Sequence, residues 1–375
     1  MLNLSTIIYD KYNKHSGVNV SMTELTQTQT TGSASRWLWR AALFLIIVIA
    51  GEWYVKWNPY YHKAFLAAAK HSLGSSIVSG KGDIAPAVSI AAAWHYAVAY
   101  YQAVWQAVIL GVVVGAAVQV LLPRDWILKV LGNHNAKSVV AAGALSLPGM
   151  MCTCCSAPIV VGLRKQKVTA GSALAFWLGN PVLNPATIIF IGFVLGWGFA
   201  LARIIFGLIL VLCVGLLVNR FWPDLEVPGT AHIAVEKAVT PNERPVWQRF
   251  FIQVGRISLS VIPVYILLVL VMGGLRSWLF PAIDLGHAQG LLWIIGLAVA
   301  GTFFVIPTAG EVPIIQTMMH YGLGTAPALA LLMTLPAISA PSLAMIWRHF
   351  RKRTLLFTVA ATFIVGVAAG LTGMI

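Results

Sequence analysis

Residues 147–158 read LPGMMCTCCSAP and interrupt one of the most apolar regions of the chain with a Pro-Gly pair and three cysteines. A second interruption, IPTAGEVP at residues 306–313, breaks an apolar segment in the second half of the sequence. Lipid cannot satisfy backbone groups that Pro and Gly release at membrane depth, so such breaks persist only where protein or a water-filled cavity covers them. The two stretches therefore predict two broken helical segments, at 137–164 and 289–320.

The overall composition places the chain in the membrane class. Of its 375 residues, 59% are hydrophobic and 10% are charged, and the mean hydropathy is +0.82. A soluble domain of this length cannot bury so much apolar surface. The formal net charge of +14 comes from short Lys and Arg clusters between apolar runs, as in cytoplasmic loops. We therefore predict an all-α polytopic protein that contacts the lipid bilayer and binds no nucleic acid.

The order of apolar and polar segments predicts how the chain is organised in the inner (plasma) membrane, with a cytoplasmic N-terminus. The predicted segments are a disordered cytoplasmic tail at 1–36, a span at 37–57, an external loop with an interfacial helix at 58–90, a first repeat at 91–219, a cytoplasmic linker at 220–249 and a second repeat at 250–375. Each repeat contains three spans and one broken segment, so the sequence predicts seven full spans.

The two repeats align with each other. Residues 168–189, VTAGSALAFWLGNPVLNPATII, match 324–345, GTAPALALLMTLPAISAPSLAM, at Thr, Ala and Pro positions. Nearly the same offset places the cysteine break over the break at 306–313. The ordered breaks carry more weight than the few identities, because Ala- and Leu-rich helices align easily.

Basic residues predict that the two repeats have opposite orientations. The turn at 163–167, LRKQK, corresponds to the uncharged HYGLG at 320–324, whereas RHFRKR at 348–353 corresponds to the uncharged LGWGFALA at 195–202. Basic loops stay in the cytoplasm, so corresponding loops lie on opposite faces. This requires each broken segment to be a re-entrant hairpin; full crossings would give nine spans and parallel repeats. Inverted repeats with broken helices at the midplane are typical of secondary transporters.

Three cysteines lie in the first break and are the candidate solute contacts: Cys152, Cys154 and Cys155. Thiolates are soft ligands that suit Cu(I), Zn or, by the same reasoning, trivalent arsenic. The spacing lacks the second Cys or His pair of a zinc finger, so we predict no resident metal and no cofactor. Lone Cys213 is assigned to helix packing.

Five polar residues near the breaks are further candidates. Glu311 is a carboxylic acid at membrane depth and is expected to act as a gating or proton-coupling group without a cationic partner. Asn180 and Asn184, in GNPVLNP, either offer amides to a solute or satisfy backbone freed by the neighbouring prolines. Thr308 and Ser339 occupy related positions in the second repeat and are predicted to contact the solute.

The cysteine break, the turn GLRKQKVT at 162–169 and the sequence AFWLGNPVLNPATI at 175–188 resemble the predicted permease family of YraQ and ArsP type. The resemblance covers most of residues 95–350 and is strongest over 145–190. It implies export of trivalent organoarsenicals such as methylarsenite, with the three cysteines of the first break handling the substrate. The family's usual pattern is Cys-Ser-Cys, where this chain has Thr153 and an additional cysteine.

Three functions remain open from the residues. The first is a transporter that exports a soft, thiol-reactive solute, and the second is a transporter of a sulfur compound or other small anion. The third is a membrane thiol-disulfide oxidoreductase, which would need a resolving cysteine that the second break lacks. The chain has no G-x-x-x-x-G-K-[ST] phosphate-binding loop, so an ATP-driven pump would need a partner subunit, and the chain itself is predicted to be a non-enzymatic permease.

Overall fold

The computed structural model describes residues 22–78, 86–223, 245–279 and 290–374. The described residues are 83% helical and contain no strand, so the predicted all-α class is confirmed. The first part of the predicted tail, part of the external loop and most of the linker lie outside these ranges.

The structure confirms the predicted number of spans. Seven helices or helix pairs in the described residues are long and apolar enough to cross a bilayer: Trp37–Lys70, Ile90–Val120, Ala170–Val194, Trp197–Phe221, Val246–Arg276, Thr325–His349 and Lys352–Thr372. The two segments predicted as broken are absent from this set because each consists of two shorter helices.

The N-terminal span is longer than predicted. Helix α1 (Met22–Glu52) continues through a π-helical turn (Trp53–Trp57) into α2 (Asn58–Lys70). Residues 22–36, predicted as disordered, are therefore helical, and 58–70 prolongs the span instead of forming a separate surface helix. Both differences have one cause. Turns that are added to an existing helix do not need a new helix nucleus, and forming that nucleus is the unfavourable step. One side of the extension packs against the protein, since Tyr60 and Ala67 of α2 are buried.

The first repeat contains seven helices, namely α3 (Ile90–Val120), α4 (Arg124–Leu131), α5 (Ala136–Ser146), α6 (Thr153–Lys165), α7 (Ala170–Val182), α8 (Pro185–Val194) and α9 (Trp197–Phe221). Helices α5 and α6 form a hairpin whose tip is residues 147–152, hereafter tip 1. Thr169, just after α6, donates from Oγ1 to the carbonyl of Leu131, just before α5, at 3.5 Å. Both open ends of the hairpin therefore lie together.

The second repeat contains α10 (Val246–Leu279), α11 (Leu291–Phe303), α12 (Glu311–His320), α13 (Thr325–Ala337), α14 (Ala340–Ile346) and α15 (Lys352–Thr372). Gly301 lies against Thr334, and Gly370 lies between Ile294 and Ala326, so α11 and α13 run parallel. Because α12 leads directly into α13, it returns antiparallel to α11. The second broken segment is thus also a hairpin, and its tip is residues 304–310, hereafter tip 2.

One further span in each repeat is also interrupted. The chain leaves the helix between α7 and α8 at Leu183 and Asn184, and between α13 and α14 at Ile338 and Ser339. Pro185 and Pro341, as the first or second residue of the helices that follow, lack the amide that would continue the hydrogen-bond ladder. Each repeat therefore brings two helix interruptions to the interior of the protein.

Three glycines, Gly111, Gly115 and Gly162, hereafter the glycine seam, allow tip 1 and α6 to pack closely against α3. A Cβ added at Gly115 of α3 would lie 2.6 Å from the carbonyl oxygen of Pro158, and one at Gly111 would overlap the carbonyl oxygen of Cys155. Gly162 on α6 faces the carbonyl of Gly115 in return. Residues 111–115, GVVVG, therefore make a close backbone contact between helices.

Gly115→Val should therefore separate α6 from α3 and prevent stable folding, because backbone atoms occupy the space that the new side chain requires. Gly255→Val is the matched control, since Gly255 lies in a helix of 34 residues, similar to the 31 of α3, and a Cβ added there would have no neighbouring atom within 4 Å. Size-exclusion chromatography and thermal unfolding in detergent would measure the difference. Equal stability of the two variants would contradict the seam.

Candidate solute-binding site

The four helix interruptions meet around one central cavity. Its free volume is about 10 Å³, which is room for a single water molecule. The residues that line it are Cys152, Thr153, Pro181, Thr187, Ile306, Pro307, Thr308, Ala309, Glu311, Leu335, Pro336 and Ser339. Of the predicted site residues, the cavity wall therefore includes Cys152, Thr308, Glu311 and Ser339.

The three cysteines of the first break are buried but occupy different positions. Cys152 precedes the first residue of α6 and lines the cavity, and its Sγ lies 3.0 Å from Sγ of Cys155. Cys154 is not part of the cavity wall, and its Sγ lies 3.4 Å from Oγ of the cavity-lining Ser339, just before α14. The site thus contains a pair of thiols beside the cavity and a third thiol at the contact between the two repeats.

Cys152 and Cys155 form a C-x-x-C pair at the start of a helix. Sequence reasoning treated the three cysteines as one group and missed this pairing. Positions three apart on a helix face the same side, so the spacing itself carried the signal. Within the described residues, no group of three or more His, Cys, Asp or Glu side chains is arranged to hold a metal ion.

Glu311 does have a cationic partner, so the prediction that it stands alone is wrong. Its Oε1 accepts a hydrogen bond of 3.2 Å from the guanidinium of Arg203 on α9, and both side chains are essentially inaccessible to solvent. The ion pair joins the first residue of α12, in the second repeat, to a span of the first repeat.

Arg203 also satisfies the backbone at both interrupted spans. It donates to the carbonyls of Pro181 and Val182 at 3.0 and 2.7 Å, and to the carbonyl of Leu332 on α13. Sequence reasoning missed Arg203, although an arginine inside an apolar span is as costly as the carboxylate that it did single out. The same criterion, applied to cations, would have found it.

Lys56 is a second buried cation that sequence reasoning missed. It lies in the π-helical turn with 5% of its side chain exposed, and its Nζ donates to Thr308 of tip 2 at 3.2 Å. The adjacent Trp57 donates from Nε1 to the carbonyl of Pro148 in tip 1 at 2.8 Å. The N-terminal helix therefore contacts both hairpin tips.

Asn180 and Asn184 do not line the cavity. Oδ1 of Asn184 accepts a hydrogen bond from the amide of Thr187 at 3.2 Å and caps α8, and Nδ2 of Asn180 donates to the carbonyl of Phe176 at 2.9 Å. These contacts match the second of the two predicted roles, in which the amides satisfy backbone groups near the prolines.

Comparisons with known proteins agree with this architecture. A family model described as a predicted permease, ArsP_1, matches residues 41–180 and 90–375. The chain is 51% identical over 332 residues to UPF0718 protein YraQ of Escherichia coli, covering 88% of this chain and 94% of the relative. It is 24% identical over 330 residues to UPF0718 protein MJ0584 of Methanocaldococcus jannaschii, covering 70% of this chain and 90% of that protein.

No solved structure matches the chain. The family model nevertheless extends over both repeats and all four helix interruptions that surround the cavity. The chain is therefore a multi-pass membrane protein that belongs to the predicted permease family of ArsP and YraQ type.

Proposed function

We propose that the chain is a secondary transporter of the inner membrane that exports a soft, thiol-reactive solute through the central cavity by alternating access. A trivalent organoarsenical is the candidate solute. The observation that carries the proposal is the thiol pair of Cys152 and Cys155, 3.0 Å apart, at the wall of a cavity where four helix interruptions meet. Soft thiol ligands match the preference of trivalent arsenic.

A monomethyl arsenic(III) compound has two exchangeable hydroxyl groups. Two cysteine thiols would replace them, forming two As–S bonds, and the two thiol protons would leave with the hydroxyl groups as two water molecules. The reverse exchange with water would release the solute on the other side. A pair of thiols suits this ligand, whereas an isolated thiol would leave one hydroxyl group in place.

Alternating access would follow from an inverted relation between the repeats, which two contacts support. Arg164 at the end of α6 donates from Nε to the carbonyl of His349, just after α14, at 3.1 Å. On the other face, Gln316 of α12 donates to the carbonyl of His71, whose ring lies 2.7 Å from the carbonyl of Phe193 at the end of α8. Both contacts support a model in which the equivalent helices α6 and α12 end on opposite faces.

Reporter fusions should detect this inversion. A reporter placed after Lys167 should lie in the cytoplasm and one placed after Tyr321 should lie outside, because the basic loops share the first face. The measurement is the activity of a reporter that works only in the cytoplasm against one that works only outside it. Cytoplasmic signals from both positions would exclude inverted repeats.

The Glu311–Arg203 pair would act as the gate between the repeats. A proton on Glu311 would remove its charge and weaken the contact to Arg203, which offers a route for coupling proton movement to opening. Because the cavity has room for only one water molecule, a solute can enter only when the repeats separate.

Transport in everted membrane vesicles tests the proposed function. Vesicles that contain the chain should accumulate methylarsenite faster than vesicles from cells with an empty vector, and dissipation of the proton gradient should slow the uptake if protons are coupled. Uptake at the rate of the empty-vector vesicles for methylarsenite, antimonite and sulfur oxyanions alike would refute transport of a soft solute.

A further inference from the structure

The central cavity has an entrance on one side that carries positive charge. A vestibule of about 370 Å³ lies beside tip 2 and shares Pro307, Thr308 and Ala309 with the central cavity. Two lysines line it, Lys56 and Lys63, and its lining residues include no carboxylate.

Lys56 lies at the junction of the two cavities and has only neutral hydrogen-bond partners. Its Nζ donates to the hydroxyls of Thr308 and Tyr60 at 3.2 and 3.3 Å. Glu52 lies one turn earlier on the same helix, is buried and interacts electrostatically with Lys56, but among the contacts of the described residues the two form no ion pair within 4.0 Å. Burying an ammonium group that has no carboxylate in ion-pair contact costs free energy unless an anion binds to it.

Two helix N-termini add donors at the same cavity. Helices α6 and α12 begin there with 13 and 10 residues, and neither has a side chain that caps its first turn. The first amides of a helix have no intrahelical partner and, together with the helix dipole, favour an anion. The carboxylate of Glu311, at the start of α12, is neutralised by Arg203, so it does not cancel the charge of Lys56.

We infer that Lys56 and the amides at the start of α6 and α12 form an anion-binding site close to the thiol pair, and that the transporter also carries a small soft anion such as a sulfur oxyanion. Lys56 donates to Thr308, which lines both the vestibule and the central cavity, and Cys152 lines the central cavity. The inference rests on the proposed transport function and adds a second substrate class to it, because methylarsenite is uncharged at neutral pH.

The test compares a soft anion with an uncharged soft solute on the purified full-length protein. Thiosulfate and methylarsenite are the probes, and binding in detergent and uptake into proteoliposomes are measured for the parent, Lys56→Met, Lys56→Arg and Lys352→Met. Lys352 is an exposed lysine at the start of α15, remote from the cavity in sequence and absent from its lining, and serves as the control.

Lys56→Met should weaken thiosulfate binding at least about ten-fold, Lys56→Arg should retain part of it, and Lys352→Met should leave it unchanged. Unchanged thiosulfate binding by Lys56→Met, or no thiosulfate binding by the parent, would overturn the inference.

If the parent transports methylarsenite but binds no thiosulfate, the anion site fails while the proposed function stands. If thiosulfate transport depends on Lys56 but not on Cys152, the anion site stands and the thiol-based function fails. Lys56→Gln replaces Lys56→Met if the latter does not fold.

Discussion

Cys152→Ser should lower the rate of transport of a thiol-reactive solute at least about ten-fold, because a loss of only about 1.4 kcal/mol of binding free energy produces that factor. Ser nearly preserves the size of Cys, but its hydroxyl is a poor ligand for a soft centre. Cys155→Ser should have a similar effect, and the double variant should add little, because the two thiols act as one ligand pair. The measurement is the initial rate of uptake into everted vesicles at matched protein levels.

Two other cysteines provide controls for this prediction. Cys154→Ser should reduce transport less, since its thiol faces Ser339 instead of Cys155. Cys213→Ser should leave transport unchanged, since Cys213 is exposed on α9 and remote from the cavity lining. If the double variant of Cys152 and Cys155 transports like the parent, these thiols serve only to pack tip 1.

Arg203→Met should be strongly destabilising. Removal of one partner from a buried ion pair costs about 3–5 kcal/mol, because the other charge remains without compensation. Here the carboxylate of Glu311 would lose its partner, and the carbonyls of Pro181 and Val182 would lose their donor. Thermal unfolding in detergent, followed by intrinsic tryptophan fluorescence, should show a lower midpoint than that of the parent.

A double variant separates the charge effect from the loss of side-chain contacts. Arg203→Met combined with Glu311→Gln should recover part of the stability, because no uncompensated charge remains, while transport should stay low if the ion pair is the gate. Arg220→Met is the control, since Arg220 lies exposed near the end of the same helix. A stable Arg203→Met single variant would show that the pair is not needed to join the repeats.

The interruptions and spans could be predicted from sequence because Pro and Gly act locally. A proline removes its own amide whatever surrounds it, so the breaks at tips 1 and 2 could be located before any contact was known. The charge partners could not be found in this way. Arg203 and Glu311 are far apart in the sequence, and only the packing of α9 against the second repeat brings them together.

The arrangement of the thiols could be predicted from the sequence only in part. The sequence identified the cysteine cluster, but it did not indicate that Cys155 faces Cys152 while Cys154 faces Ser339. That distinction depends on α6 beginning at Thr153, and helix boundaries are uncertain by one or two residues even in known structures. Lys56 was overlooked because a lysine near the end of a predicted span normally extends to the membrane surface, whereas here the helix continues for several turns beyond it.

The N-terminal helix has no counterpart in the second repeat, and this sets the energetics of the transport cycle. Two inverted repeats alone would give two access states of nearly equal free energy, since each state would be the image of the other. Helices α1 and α2 remove this equivalence, because Trp57 bonds to tip 1 and Lys56 to tip 2. Any movement that separates the tips must break or stretch at least one of these bonds. In the proposed cycle one access state would therefore be preferred at rest, and solute binding or protonation of Glu311 would supply the free energy to leave it.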